Sequence, residues 1–106
     1  MSFNKVTTEA ALRKALAENK SAVVVFGAEW SPISKVTKQT FEKNLGKYSS
    51  THFVWIDIDE APPLQKAYTI EAIPTTLGYK GKSEVNKYIG PMNTDSQLDT
   101  FVKKTL

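Results

Sequence analysis

Five consecutive apolar residues, Ala22-Val23-Val24-Val25-Phe26, constrain this chain more than any other segment. A strand with one wet face alternates apolar and polar residues. A β-branched run without alternation suits a central strand covered on both faces. Gly27 and Ala28 follow at once and let the backbone turn tightly as the strand ends. The run is flanked by helical signals. Before it, Ala11, Leu12, Ala15 and Leu16 recur at helical spacing through residue 18, with Thr7 or Thr8 as N-cap and Glu9 in the first turn. After it, Ser31-Pro32 opens a second helix, serine as N-cap and proline at the first helical position. In that helix Val36, Phe41 and Leu45 supply an apolar stripe, Lys38 and Glu42 an exposed i,i+4 pair, and Gly46 a C-cap.

The remaining elements fall in the same pattern. Residues 3–6 read as an edge strand and residues 52–58 as a second buried strand. Residues 62–68 form a short helix whose prolines sit in its first turn. Residues 75–79 and 83–89 are two strands joined by a tight turn at Lys80-Gly81. A last helix, capped by Thr94 or Asp95, buries Leu98, Phe101 and Val102. The order β-α-β-α-β-α-β-β-α predicts an α/β fold: a mixed sheet of about five strands, parallel where helices intervene, ending in an antiparallel hairpin, with helices on both faces.

Composition narrows the function. At 106 residues the chain is expected to form a single domain over residues 1–106, as a monomer. Fourteen basic residues against eleven acidic ones leave +3, and the lysines are scattered, which argues against a nucleic-acid surface. No apolar run approaches the roughly 18 residues of a membrane span, and the N-terminus lacks the basic start and apolar stretch of a signal peptide, so the cytosol is the expected compartment. The chain has no cysteine and one histidine, His52. That excludes disulfides and zinc-thiolate sites, and no metal or cofactor is expected.

The chemistry-bearing segment is Phe26-Gly27-Ala28-Glu29-Trp30-Ser31-Pro32-Ile33-Ser34-Lys35, where the buried strand hands over to a helix. The carboxyl edge of such a sheet is where α/β proteins place ligands. Ser31 and Ser34 stand three apart in the first helical turn, facing the positive end of the helix dipole. Two cysteines so placed would form a redox pair, the first thiol acidified by the helix N-terminus.

At this point the chain resembles the thioredoxin family, whose site reads Trp-Cys-x-x-Cys-Lys after a strand ending Phe-x-Ala-x. Phe26, Ala28, Trp30 and Lys35 match, with Ser31 and Ser34 in the positions of the two catalytic cysteines. Ala72-Ile73-Pro74-Thr75 is similar to the family's Ile-Pro-Thr signature, which implies a cis peptide at Pro74 beside the site. Tyr79-Lys80-Gly81 and Ile89-Gly90 fall where the family has its last hairpin and the glycine bordering its substrate groove. The likeness runs through nearly the whole chain and implies the thioredoxin fold.

The chain also departs from the family. The spacer is Pro32-Ile33, as in the glutaredoxin pattern. Val25 replaces the family's buried acid and Trp55 its partner lysine, an apolar pair in place of an ion pair. Gln39 stands where most members carry a helix proline.

Two functional readings follow. In the first, the chain is the redox-inactive counterpart of a protein-disulfide oxidoreductase with cysteines at positions 31 and 34, served by a thioredoxin-reductase-like reductant. In the second, it is a binding module that keeps the peptide groove, where Ile73 pairs by its backbone with an extended peptide and Trp30, Pro32, Ile33, Pro74 and Gly90 line the cleft. The serines themselves read as a helix cap and a small first-turn residue. A nucleophilic serine needs an adjacent base, and neither Glu29 nor His52 is placed to be one. Glu29, Lys35 and Lys38 are expected to be solvated charges.

Overall fold

The valine run sits in the middle of the molecule because both its faces are covered. In a computed structural model, residues 2–106 are described. The elements are β1 (Asn4–Lys5), α1 (Glu9–Glu18), β2 (Ser21–Gly27), α2 (Pro32–Glu42), a 3-10 turn (Leu45–Lys47), β3 (His52–Asp57), α3 (Pro62–Ala67), β4 (Thr75–Lys80), β5 (Ser83–Ile89) and α4 (Asp95–Lys103). The sheet order is β1-β3-β2-β4-β5. The strand β2 pairs in parallel with β3 and antiparallel with β4, while β1 pairs in parallel with β3 and β5 antiparallel with β4. All seven residues of β2 are buried.

Alternation along β2 divides the core between two helix layers. Ala22, Val24 and Phe26 pack with Leu12 and Leu16 of α1 and Leu64 of α3. Val23 and Val25 pack with Phe41 of α2 and with Leu98, Phe101 and Val102 of α4. The aromatic side chains of the second layer meet at edges and tilts, as their quadrupoles favour: Phe3 lies 5.8 Å from both Phe41 and Trp55. Gly78 lets α4 settle on β4, because a Cβ there would lie 2.9 Å from the Thr105 methyl. Outside the sheet, Tyr48 donates to Asp99 of α4 at 2.7 Å. Burial and that carboxylate push its phenol up to about 12.

The helix caps follow local chemistry. Thr8 accepts from the Ala11 amide, Ser31 from the Ser34 amide, and Thr94 forms a reciprocal capping box with Gln97. Three expectations for α2 fail. Val36 is 41% exposed, since the helix turns Ser34, Thr37, Thr40 and Phe41 inward instead. Lys38 pairs with Glu29 rather than Glu42. The helix ends at Glu42, so Gly46 falls inside the 3-10 turn and caps nothing.

Candidate functional site

Three loops leave the sheet at one edge. Phe26 faces Thr75 across the β2–β4 ladder, so Gly27 and Pro74, the next residues outward, exit side by side. The Ile73–Pro74 peptide is cis. Thr75 also faces Ile89 on β5, which brings Gly90 to the same edge. Gly90 adopts φ of 107°, a left-handed conformation open mainly to glycine, and its amide donates to the Pro74 carbonyl at 2.8 Å. The following Met92 is fully buried, and its amide donates to Thr37 Oγ1 of α2 at 2.9 Å. Residues 73–75 and 89–92 are therefore joined by a backbone hydrogen bond and a ladder pair, and the Phe26–Thr75 pair and the Thr37 hydroxyl fasten them to the strand and helix on either side of the serine turn.

The two serines sit inside this frame. The Ser31 amide donates to the Ala28 carbonyl at 3.1 Å, closing the tight turn. Ser31 Oγ accepts from the Ser34 amide at 3.3 Å. Both residues are buried, Ser34 completely. Ser34 Oγ has no hydrogen-bond partner among the described residues, and neither have Trp55 Nε1 and Thr76 Oγ1. Val25 faces Thr76 on one side and Trp55 on the other, so those two orphaned groups flank the valine that replaces the family's buried acid. A buried hydroxyl without a partner costs free energy that a methyl does not. Ser34→Ala is therefore expected to raise stability by about 1 kcal/mol. An upward shift of the urea midpoint at unchanged slope would register it, and an equal downward shift would contradict the orphaned hydroxyl.

The indole of Trp55 fills the space beneath the site turn. A Cβ on Gly27 would lie 2.5 Å from Trp55 Cη2 and 3.1 Å from the Ser34 Cβ. Above the ring, Lys38 Nζ stands 4.8 Å from its centroid and 3.0 Å from the Glu29 carboxylate. Only 19% of the Lys38 side chain is exposed, so Lys38 is a packed cation and Glu29 is its counter-charge. This corrects the expectation that Lys38 was an ordinary solvated charge, while Glu29 stays exposed in its loop as expected.

Trp30 is 67% and Ile33 48% exposed, and Pro32 is exposed between them. The Trp30 indole donates to Asp59 at 2.6 Å, which fixes the ring while leaving its faces open. Ile73 is half-buried and Ile89 is 63% exposed. Pro74 itself is buried, so it shapes the cleft through the backbone and does not present the apolar wall expected of it. Beside the cis peptide, Ala72, Thr75 and Ile89 border a cavity of about 260 Å³.

Sequence reasoning missed Asp57, Asp59 and Ile89 as parts of this edge. Asp57, buried at the end of β3, accepts from the amides of Asp59 at 2.8 Å and Glu29 at 3.2 Å, which holds the two loops together. The available signal was an aspartate ending a buried strand, where its side chain caps nearby amides. His52, by contrast, faces Ala22 at the far end of β2 and bonds Asn4 at 3.3 Å, away from the serines. Ser31 thus has no base at hand, and its hydroxyl serves as a cap. Among the described residues no three His, Cys, Asp or Glu side chains group as metal ligands, and no helix is long and apolar enough to cross a membrane.

The chain is similar to known proteins in sequence and fold. The family model for thioredoxin matches residues 3–104. An H-type thioredoxin of Oryza sativa subsp. indica is 30% identical over 100 residues, 94% of this chain and 81% of its own. A thioredoxin of Mycoplasmoides gallisepticum is 32% identical over 95 residues, 88% of this chain and 95% of its own. Mitochondrial thioredoxin 3 of Saccharomyces cerevisiae, in its oxidised form, superposes with a TM-score of 0.85 at 27% identity, covering 95% of this chain and 93% of its own. A thioredoxin of Plasmodium falciparum gives 0.85 at 28% identity, covering 95% and 97%. With its edge loops, its sheet order and 102 of its 106 residues accounted for by one family model, the chain belongs to the thioredoxin family.

Proposed function

We propose that this chain captures extended polypeptide in the cleft between the site turn and the Ile73–Pro74 loop, and does so without thiol exchange. One observation carries the reading. Large apolar side chains, Trp30 at 67%, Ile33 at 48% and Ile89 at 63% exposure, are left bare at the sheet edge where the family's reactive group would stand. Bare aromatic and branched residues around a cleft suit recognition of a partner chain. An extended peptide would pair with the Ile73 backbone, strand to strand, and lay apolar side chains over Trp30 and Ile33. Gly90 leaves open space beside the Pro74 carbonyl for that backbone. The chain carries no thiol to attack or resolve a disulfide.

The test uses an unfolded chain that cannot react: insulin B chain with its cysteines alkylated. Saturable binding is expected, and Trp30→Ala should weaken it about tenfold, the loss typical of a central aromatic contact. Equal binding by Trp30→Ala and the unsubstituted chain would count against the cleft.

A second reading is favoured by the buried, unpartnered hydroxyl of Ser34. A thiol tolerates such a site far better than a hydroxyl, because Cys behaves as a small hydrophobe when buried. On this reading Ser31 and Ser34 occupy the places of a reactive pair, and the cysteine-bearing form is a cytoplasmic protein-disulfide reductase of cell redox homeostasis, recycled by a thioredoxin-reductase-like partner. The two readings share one cleft and differ in the sulfurs.

A further inference from the structure

A second concavity lies at the opposite edge of the sheet. Tyr79 faces Ala22 at the start of β2, whereas the candidate site lies beyond Phe26 at its end. There α1, the residue after α3 and the β4–β5 hairpin surround an open cavity of about 620 Å³. That volume is within the roughly 300–1,000 Å³ range of small-molecule sites. Its floor is apolar, from Leu16 and the rings of Tyr68 and Tyr79.

Several of its polar groups have no partner within the protein. Of the tyrosine hydroxyls, that of Tyr48 donates to Asp99 and that of Tyr88 accepts from Gln97. Those of Tyr68 and Tyr79 bond no other described residue, and neither is an enclosed unpartnered group; both residues line the cavity. Burial first, then Glu9 at Tyr68 and Tyr68 with Glu84 at Tyr79, holds both phenols above the usual value, so each is an O–H donor at neutral pH. Three cations stand around them: Arg13, Lys14 and Lys82. Arg13 is paired with Glu9, but Lys14 and Lys82 form no salt bridge among the described residues. Glu84 is the only carboxylate in the lining. Donors therefore outnumber acceptors, and positive charge outweighs negative, above an apolar floor.

We propose that this cavity binds a small organic anion with a flat apolar body, of which an arene carboxylate is the simplest form. The body lies on Leu16 and the tyrosine rings. The carboxylate accepts from the Tyr68 and Tyr79 hydroxyls, with Lys14 and Lys82 supplying the counter-charge. The inference is independent of the polypeptide cleft, which lies at the other edge.

The test titrates the full chain with 2-naphthoate, followed by amide chemical shifts, beside its neutral analogue 2-naphthalenemethanol. Saturable shifts are expected around Arg13 to Ala17, at Tyr68 and from Tyr79 to Glu84. Tyr79→Phe should weaken naphthoate about tenfold, the scale of a hydrogen bond to a charged group, at an unchanged melting midpoint because the hydroxyl has no protein partner to lose. Lys14→Ala with Lys82→Ala should weaken it similarly and flatten its dependence on salt. The neutral analogue should bind at least about tenfold less tightly. Any one of three results overturns the proposal: no saturable shifts in the millimolar range, shifts centred elsewhere, or equal binding of the neutral analogue. Unchanged affinity in both variants would overturn it as well.

Discussion

Ser31→Cys together with Ser34→Cys is expected to give a chain that reduces insulin with dithiothreitol as electron donor, at a rate on the order of tenfold or more above the unsubstituted chain. The geometry for it is in place. The Ser34 amide already donates to the side chain at position 31, at 3.3 Å. On a cysteine that hydrogen bond and the helix dipole would favour the thiolate, lowering the thiol pKa. The thiolate at 31 attacks one sulfur of the substrate disulfide, forming a mixed disulfide and expelling the other sulfur as a thiolate that takes a proton from water. The thiol at 34 then loses its proton, attacks the sulfur at 31, and releases the second substrate thiol, leaving a 31–34 disulfide for dithiothreitol to reduce. The second step is expected to lag. Val25 and Trp55 provide no proton acceptor beneath position 34, so the resolving thiol must be deprotonated by solvent. The rate should accordingly climb as pH rises toward the usual thiol range. Ser31→Cys alone should trap substrate as a persistent mixed disulfide. A double variant no faster than background would remove the reductase reading and leave the binding one.

Gly27→Ala is expected to cost about 2 kcal/mol, a fall of roughly 10 °C in melting midpoint, although it adds a single methyl group. Its Cβ would lie 2.5 Å from Trp55 Cη2, closer than real Cβ contacts allow, with the Ser34 Cβ at 3.1 Å on another side. The indole cannot retreat easily, since Phe3 packs 5.8 Å from it and Lys38 covers it. Either the ring leaves its rotamer or α2 lifts from the sheet. Both move Ser34, so the amide shifts of residues 30–35 should change along with the stability. A neutral Gly27→Ala would mean that Trp55 does not occupy the space beneath the turn.

The element order was legible because each element carries its signal locally. The valine run and the Ser31-Pro32 cap lie where the sequence implies; the hairpin turn falls one residue later than expected, at Gly81-Lys82, because Lys80 still pairs with Ser83, and Gly81 takes φ of 64° as a tight turn requires. Positions whose role depends on distant partners were not legible. Val36 reads as core on spacing alone, but the inward face of α2 belongs to Thr37, whose hydroxyl receives the Met92 amide from 55 residues away. Lys38 reads as a surface cation until Glu29 and Trp55 close on it from other elements. The role of Asp57 needs two loops to meet before it has amides to bind. The candidate site was half legible: the serines, Trp30 and Gly90 follow from motif and resemblance, while Ile89 joins the cleft only because β5 pairs beside β4.

Capture of an unreactive peptide can be located residue by residue. Alkylated insulin B chain added to the ¹⁵N-labelled protein should shift the amides of Trp30, Ile33, Ile73 and Gly90 together, on one saturation curve. Shifts that saturate elsewhere while those four amides stay still would contradict a polypeptide site at this edge.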